Sequence, residues 1–118
     1  MVAKAGSIVH PWYKGTHEWH VKEVAKLDEP VHYHDDEQGE VKYDPKIMVL
    51  ESRAIGEVLW FPYWISTKKT QGKMKYGQSP PMLEQGVLFE IMKDAIKKDM
   101  FNNQFLKKLE VEIQLKLA

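Results

Sequence analysis

Four aromatic side chains fall within the five consecutive positions from Trp60 to Trp64. Successive side chains of a β-strand alternate between its faces, so Trp60 and Trp64 would share one face, roughly 13 Å apart. The other face, with Phe61 and Tyr63, would pack in the core. Pro62 cannot donate to a strand ladder, which favours an edge strand or a bulge. Two indoles on an edge strand could stack unpaired nucleic-acid bases.

A basic loop over residues 67–79 follows this segment and contains no acidic residue. Its lysines and its tyrosine are Lys68, Lys69, Lys73, Lys75 and Tyr76. Lysines neutralise phosphates, and four of them are fewer than most duplex-binding proteins use. We therefore expect a protein that binds single-stranded nucleic acid with little sequence specificity. The alternative is that Trp60 and Trp64 pack beneath a helix while the lysines only solvate a loop.

The aromatic strand and the lysine loop beside a helix, from Trp60 to Met100, resemble ThermoDBP-like single-stranded DNA-binding proteins of archaea. The resemblance lies in the aromatic and basic character of the segment. It implies a cleft lined by apolar and aromatic groups, and self-association.

A second group of residues could bind a metal ion. His32, His34 and Asp36 would share one face of a strand, and a His-x-His pair near a carboxylate resembles the ligands of cupins and metallo-hydrolases. No histidine follows His34 in the chain, although both of those families use a later one. The alternative is an exposed acidic hairpin without metal.

A third pattern, Asp44 with Glu51 and Arg53, resembles the metal-binding carboxylates and lysine of restriction-type nucleases. Glu51 and Arg53 could equally form a surface ion pair. A metal-dependent enzyme is therefore the alternative function, together with a protein-interaction module that uses the aromatic edge strand. No cofactor is predicted.

Composition limits the remaining classes. The chain has 118 residues, 17 basic and 17 acidic side chains, and no cysteine. Neutral net charge gives no general attraction to nucleic acid or membranes, and the absence of cysteine excludes disulfides and Cys-based zinc sites. No apolar run approaches the length of a membrane helix. We expect a cytoplasmic protein, and the absence of Cys together with only two Asn residues, Asn102 and Asn103, hints at a thermophile.

The pattern of apolar residues predicts one α+β domain over residues 1–118. We expect an antiparallel or mixed sheet of about four to five strands with one main amphipathic helix on one face. Candidate strands cover residues 18–27, 31–34, 40–43, 46–53, 57–66 and 109–117. In the first of these, Val24 and Leu27 would also suit a helix, but Val and Trp favour a strand. A hairpin turn is predicted at residues 35–39, another turn at Asp44-Pro45, and residues 47–50 suit a central strand covered on both faces.

The last third of the chain carries the strongest periodicity. Ser79 suits a helix N-cap and Pro80 the first helical position, with Asn102-Asn103 as the end. The predicted core stripe is Leu83, Val87, Leu88, Ile91, Met92, Ala95 and Ile96. Residues 109–117 alternate apolar and polar as a half-buried strand does, although a helix from Gln104 onward also fits. Met100, Phe101 and Phe105 could contribute to a homodimer interface.

Overall fold

Residues 3–11, 18–77 and 79–118 are described by a computed structural model. The strands are β1 (Ile8–Val9), β2 (Trp19–Lys26), β3 (Val31–Asp35), β4 (Gly39–Ser52), β5 (Gly56–Trp60), β6 (Tyr63–Ser66) and β7 (Lys75–Tyr76), and the helices are α1 (Gln85–Lys97) and α2 (Asn103–Leu117). The predicted α+β class is confirmed. The described residues form seven strands and two helices, instead of about five strands and one main helix.

The centre of the fold is β4, which contains the unbroken apolar run Ile47, Met48, Val49 and Leu50. All four side chains are buried. Ile47 and Val49 belong to the core cluster that faces the helices, whereas Met48 and Leu50 belong to a second cluster on the opposite side. The predicted central strand with two covered faces is therefore confirmed.

The sheet is antiparallel throughout. One edge of β4 pairs with β3 and then β2, and the other edge pairs with β6 and then β5. β1 lies outside β2, and β7 lies outside β6. The predicted hairpin is confirmed as the β3–β4 connection, with Asp35 opposite Gly39.

The turn predicted at Asp44-Pro45 is wrong, because both residues lie within β4. β3 pairs with β4 up to Tyr43, and β2 pairs with it from Lys46 onward. Asp44 and Pro45 fall in the gap between these two partners, where the ladder on that edge is interrupted. A proline is tolerated where a strand has no ladder hydrogen bond to donate.

The segment predicted as one strand over residues 57–66 is divided at Phe61-Pro62. β5 and β6 pair with β4 in one continuous register on either side of this break. The backbone N–H of Lys46 donates to the carbonyl of Pro62 at 2.9 Å, which keeps the two chains together at the break. The expected irregularity at Pro62 is confirmed.

The predicted start of the first helix at Ser79 and Pro80 is wrong. Residues 79–84 are not helical, and α1 begins at Gln85 after the N-cap residue Glu84. The physical reason is Pro81, because a residue that precedes a proline is restricted to extended conformations. In this segment the backbone N–H of Met82 donates to the hydroxyl of Tyr43 at 3.3 Å.

α1 packs on β2 and β4 through Ile91 and Ala95, which are fully buried. Asp94 fixes its C-terminal half, since its carboxylate accepts hydrogen bonds from the backbone N–H of Lys26 at 3.0 Å and from the Lys98 ammonium at 2.9 Å. Partial burial acts to raise the pKa of the Asp94 carboxyl, but these two donors outweigh it and hold the pKa below its ordinary value.

The predicted core stripe of α1 is confirmed only in part, because Leu88 and Ile96 are exposed. Leu88 lies two turns before Ala95 on nearly the same side of the helix, close to its start, whereas Ile96 lies on the neighbouring side. The sheet therefore covers only part of the apolar stripe.

The strand predicted for residues 109–117 is wrong, because α2 includes all of them. The side chain of Asn102 accepts a hydrogen bond from the backbone N–H of Phe105 at 2.7 Å, so Asn102-Asn103 begin α2 and do not end α1. Leu, Glu, Gln and Lys dominate the segment, and all four are good helix formers. Among the described residues, neither helix is long and apolar enough to cross a membrane.

Candidate nucleic-acid interface

Three aromatic rings from the predicted site converge on the sheet face opposite the helices. Trp60 ends β5, Trp64 lies in β6, and Tyr76 lies opposite Trp64 in β7. We call these three residues the aromatic cluster. The ring centroids of Trp60 and Trp64 are 6.5 Å apart, and Tyr76 lies 5.9 Å from each of them. The two indole rings are therefore closer to each other than the roughly 13 Å expected along a straight strand.

The three rings differ in exposure. Trp64 is only 4% exposed, so its ring faces are covered and it supports the other two rings from below. Trp60 is half-buried, and Tyr76 is 44% exposed. Partial burial, and to a lesser extent the nearby Tyr63, raise the pKa of the Tyr76 hydroxyl, which therefore stays neutral at physiological pH. Trp60 and Tyr76 are the rings that a ligand can reach.

The aromatic cluster lines an open cavity of about 510 Å³. The other wall is the N-terminal segment, whose lining residues are Ala3, Ser7, Ile8, Val9 and His10. Pairing of β1 with β2 places this wall, with Val9 opposite Trp19. The cavity has the size of typical small-ligand sites and a mainly apolar lining.

The predicted lysines lie on the β6–β7 hairpin that carries Trp64 and Tyr76. Lys68, Lys69, Lys73 and Lys75 are all exposed. In the described part of the chain, none of them belongs to a salt bridge. Their charges are therefore available to a ligand.

The loop between β6 and β7 is held in place by short-range hydrogen bonds. The Thr70 hydroxyl accepts from the backbone N–H of Thr67 at 2.9 Å and donates to the carbonyl of Thr67 at 3.1 Å. The backbone N–H of Lys68 donates to the carbonyl of Gln38 at 2.8 Å, which anchors the loop to the tip of the β3–β4 hairpin. Lys68, Lys69 and Lys73 lie in this loop. Lys75 lies in β7 opposite Ile65, so it is on the other face of the hairpin from Trp64 and Tyr76.

Sequence reasoning missed Lys42 as a candidate site residue. Lys42 lies opposite Ser66, two residues along the ladder from the Asp44–Trp64 pair. It therefore shares the face of the aromatic cluster and is exposed. The alternation of side chains along one continuous β4 could have indicated Lys42 as a site residue, but the turn predicted at Asp44-Pro45 divided this strand in two.

The histidine cluster forms on the same face, but with a different carboxylate than predicted. Glu40 lies opposite His34 in the hairpin, and its two oxygens are 3.0 Å from His32 Nε2 and 2.8 Å from His34 Nδ1. The hydrogen bond from His34 is the main cause that lowers the pKa of the Glu40 carboxyl. Asp36 lies 3.9 Å from His34 Nε2, at the hairpin turn. Among the described residues, no group of three potential ligands has a geometry that could hold a metal ion.

The nuclease-like pair is not brought together. Asp44 and Glu51 lie seven positions apart on β4, which corresponds to roughly 23 Å, and they face opposite sides of the sheet. Asp44 pairs with the buried Lys46 at 3.1 Å, and Glu51 pairs with Lys22 at 3.4 Å. Two carboxylates at this separation cannot share a catalytic metal ion.

A cavity of about 560 Å³ lies on the helix side of the sheet and contains three tyrosines, Tyr33, Tyr43 and Tyr63. Its only charged lining residue in the described chain is Glu84. A lining whose only charge is acidic repels phosphates, so the cavity at the aromatic cluster, on the sheet face that carries Lys42, is the better candidate for an anionic ligand.

A scan against known protein families found no match for this chain, and searches of curated proteins and of solved structures found none either.

Proposed function

We propose that this chain is a cytoplasmic protein that binds single-stranded nucleic acid with little sequence specificity. Trp60 and Tyr76 stack unpaired bases, and Trp64 supports both rings. Lys68, Lys69, Lys73 and Lys75 hold the phosphates, together with Lys42. The observation that carries this proposal is the convergence of three aromatic rings at an open cavity. Two of these rings, Trp64 and Tyr76, belong to the same hairpin as four exposed lysines that form no salt bridge among the described residues.

Stacking explains the preference for single strands. A base can lie on an aromatic ring only when it is free of its own partner, and each stacked base contributes about 1–3 kcal/mol. A flat ring accepts any base, so little sequence preference is expected. The lysines add an electrostatic contribution that salt screens, with a slope of log K against log[salt] near −3 for about four phosphate contacts on a single strand.

The first test is fluorescence anisotropy of a labelled oligothymidine titrated with the protein. We expect Tyr76→Ala and Trp60→Ala each to weaken binding by about 5- to 150-fold, the equivalent of one lost stacking interaction. Phe89→Ala is the matched control, since Phe89 is an exposed aromatic residue on α1, on the other side of the sheet. Equal losses in all three variants, or no binding by the unaltered protein, would contradict the proposal.

The second test separates the lysines from the rings. The double variant Lys42→Ala, Lys73→Ala should reduce the salt slope by about 1.4, since each phosphate contact contributes about 0.7. Lys97→Ala, an exposed lysine of α1, should leave the slope unchanged. A duplex of the same length should bind more weakly than the single strand at every salt concentration. A duplex that binds equally well would show that stacking is not involved.

A further inference from the structure

α2 is the element that the rest of the chain leaves least covered. None of its residues is buried, and α2 makes no close backbone contact with any strand or with α1 among the described residues. Its apolar side chains Phe105, Val111, Ile113, Leu115 and Leu117 are between 44% and 81% exposed. A single helix of 15 residues is marginally stable in water without tertiary packing. Packing of its apolar side chains against another surface would stabilise this helix.

The spacing of the apolar residues defines one stripe along α2. Phe105, Leu109, Ile113 and Leu117 follow each other at intervals of four, which places them on the same side of a helix. Phe105 also contacts Phe101, with ring centroids 5.3 Å apart, where the helix leaves the body of the molecule. The stripe thus begins at the core and extends outward to the end of the helix.

The beginning of this stripe borders an open groove. The groove has a volume of about 270 Å³ and lies between β5 and the start of α2. Its apolar lining residues are Val49, Val58, Leu59, Met100, Phe101 and Phe105. A helix that fills the groove has to present apolar side chains of its own.

The charges of α2 are self-complementary. Around the helix axis, Glu110 borders the stripe on one side and Glu112 borders it on the other. Lys107 lies next to Glu110, farther from the stripe, and Lys108 lies in the same way next to Glu112. None of these four charges forms a salt bridge within its own chain among the described residues. If two copies of α2 run antiparallel and cross near Leu109, Glu110 faces Lys107 of the second copy and Glu112 faces its Lys108.

We propose that a second copy of this chain covers α2, with the two helices antiparallel and crossing at Leu109. In this arrangement position 113 of one copy lies opposite position 105 of the other, and position 117 lies opposite position 101. Ile113 and Leu117 of each copy therefore reach the groove beside Phe101 and Phe105 of the other.

The first experiment measures the mass of the purified chain by sedimentation equilibrium over a range of concentrations. We expect a monomer–dimer equilibrium. The double variants Lys107→Glu, Lys108→Glu and Glu110→Lys, Glu112→Lys should each weaken dimerisation more than about tenfold, because like charges then face each other. An equimolar mixture of the two variants should form a heterodimer. A monomeric unaltered chain, or charge variants that still dimerise, would overturn the proposal.

The second experiment tests the orientation, and the absence of cysteine from the chain removes any background. Leu109→Cys should form a disulfide-linked dimer under oxidised glutathione, since the two copies of this residue meet at the crossing. Val111→Cys is the control on the opposite side of the helix and should stay unlinked. Equal cross-linking of both variants would refute the antiparallel stripe, even if sedimentation shows a dimer.

Discussion

Gly77 lies at the point where β7 passes over the ring of Tyr63, next to the aromatic cluster. A Cβ atom at position 77 would overlap the ring atoms Cε2, Cζ and Cδ2 of Tyr63. The backbone N–H of Gly77 donates to the carbonyl of Tyr63 at 2.9 Å, which holds the two chains at this distance. The Tyr63 ring is buried and lies 4.8 Å from the ring of Tyr43, so it cannot move aside freely. Gly77→Ala should therefore be strongly destabilising.

Inserting a methyl group into a packed site costs about 1–3 kcal/mol. We expect the upper part of this range, because both the backbone and the ring are held in place. For a domain of this size, about 1 kcal/mol corresponds to about 4 °C in Tm, so the melting temperature should fall by roughly 10 °C. Since Tyr76 is the preceding residue, the same shift should displace its ring and weaken binding of oligothymidine.

The assay is urea denaturation followed by circular dichroism, with Gly86→Ala as the matched control. Nothing lies within 4 Å of a Cβ atom at position 86, and alanine favours a helix over glycine, so this variant should gain about 0.5 kcal/mol. Adding Tyr63→Leu to Gly77→Ala should make the pair of changes less destabilising than the sum of the single variants. The reasoning is refuted if Gly77→Ala is as stable as the unaltered protein, or if the two changes are additive.

Three further predictions concern contacts that define the fold. Asp94→Ala should lower the free energy of unfolding at pH 7 by about 1.5–3 kcal/mol, as expected for hydrogen bonds to a charged group. The pKa of Asp94 is lower in the folded protein than its ordinary value of 3.8, so the carboxylate stabilises the fold fully above pH 3.8 and loses this effect as the pH falls through the folded-state pKa. In urea titrations at decreasing pH, the stabilities of the variant and the unaltered protein should therefore converge. A difference that stays constant with pH would contradict this. Asn102→Ala should remove the cap of α2 at a cost of about 1 kcal/mol, visible as lost helical circular dichroism, whereas an unchanged spectrum would show that the cap is dispensable. Asp44→Ala leaves the buried Lys46 ammonium without its carboxylate, so the free energy of unfolding should fall by about 3 kcal/mol. An unaltered urea midpoint would show that water solvates the ammonium in place of the carboxylate.

Local sequence patterns predicted correctly those elements for which residue types and residue spacing indicate the same structure. The apolar run from Ile47 to Leu50 predicted a strand covered on both faces, and acidic residues with Gly39 predicted the hairpin before it. Both are confirmed, because run length and turn chemistry depend only on neighbouring residues. The segment after Leu109 shows the opposite case. Its alternation suits a strand, but its residue types and the cap at Asn102 favour a helix, and the second signal prevails.

The candidate site also combines features that the sequence determined with features that only the tertiary structure decided. The sequence by itself determined that Trp60, Trp64, Tyr76 and four lysines lie close together along the chain, and that Pro62 interrupts the strand between the two indoles. Only the tertiary structure decided that the three rings meet in one cluster with Trp64 beneath. Burial and the distance between side chains depend on long-range strand pairing with β4, and no short window of sequence contains that pairing.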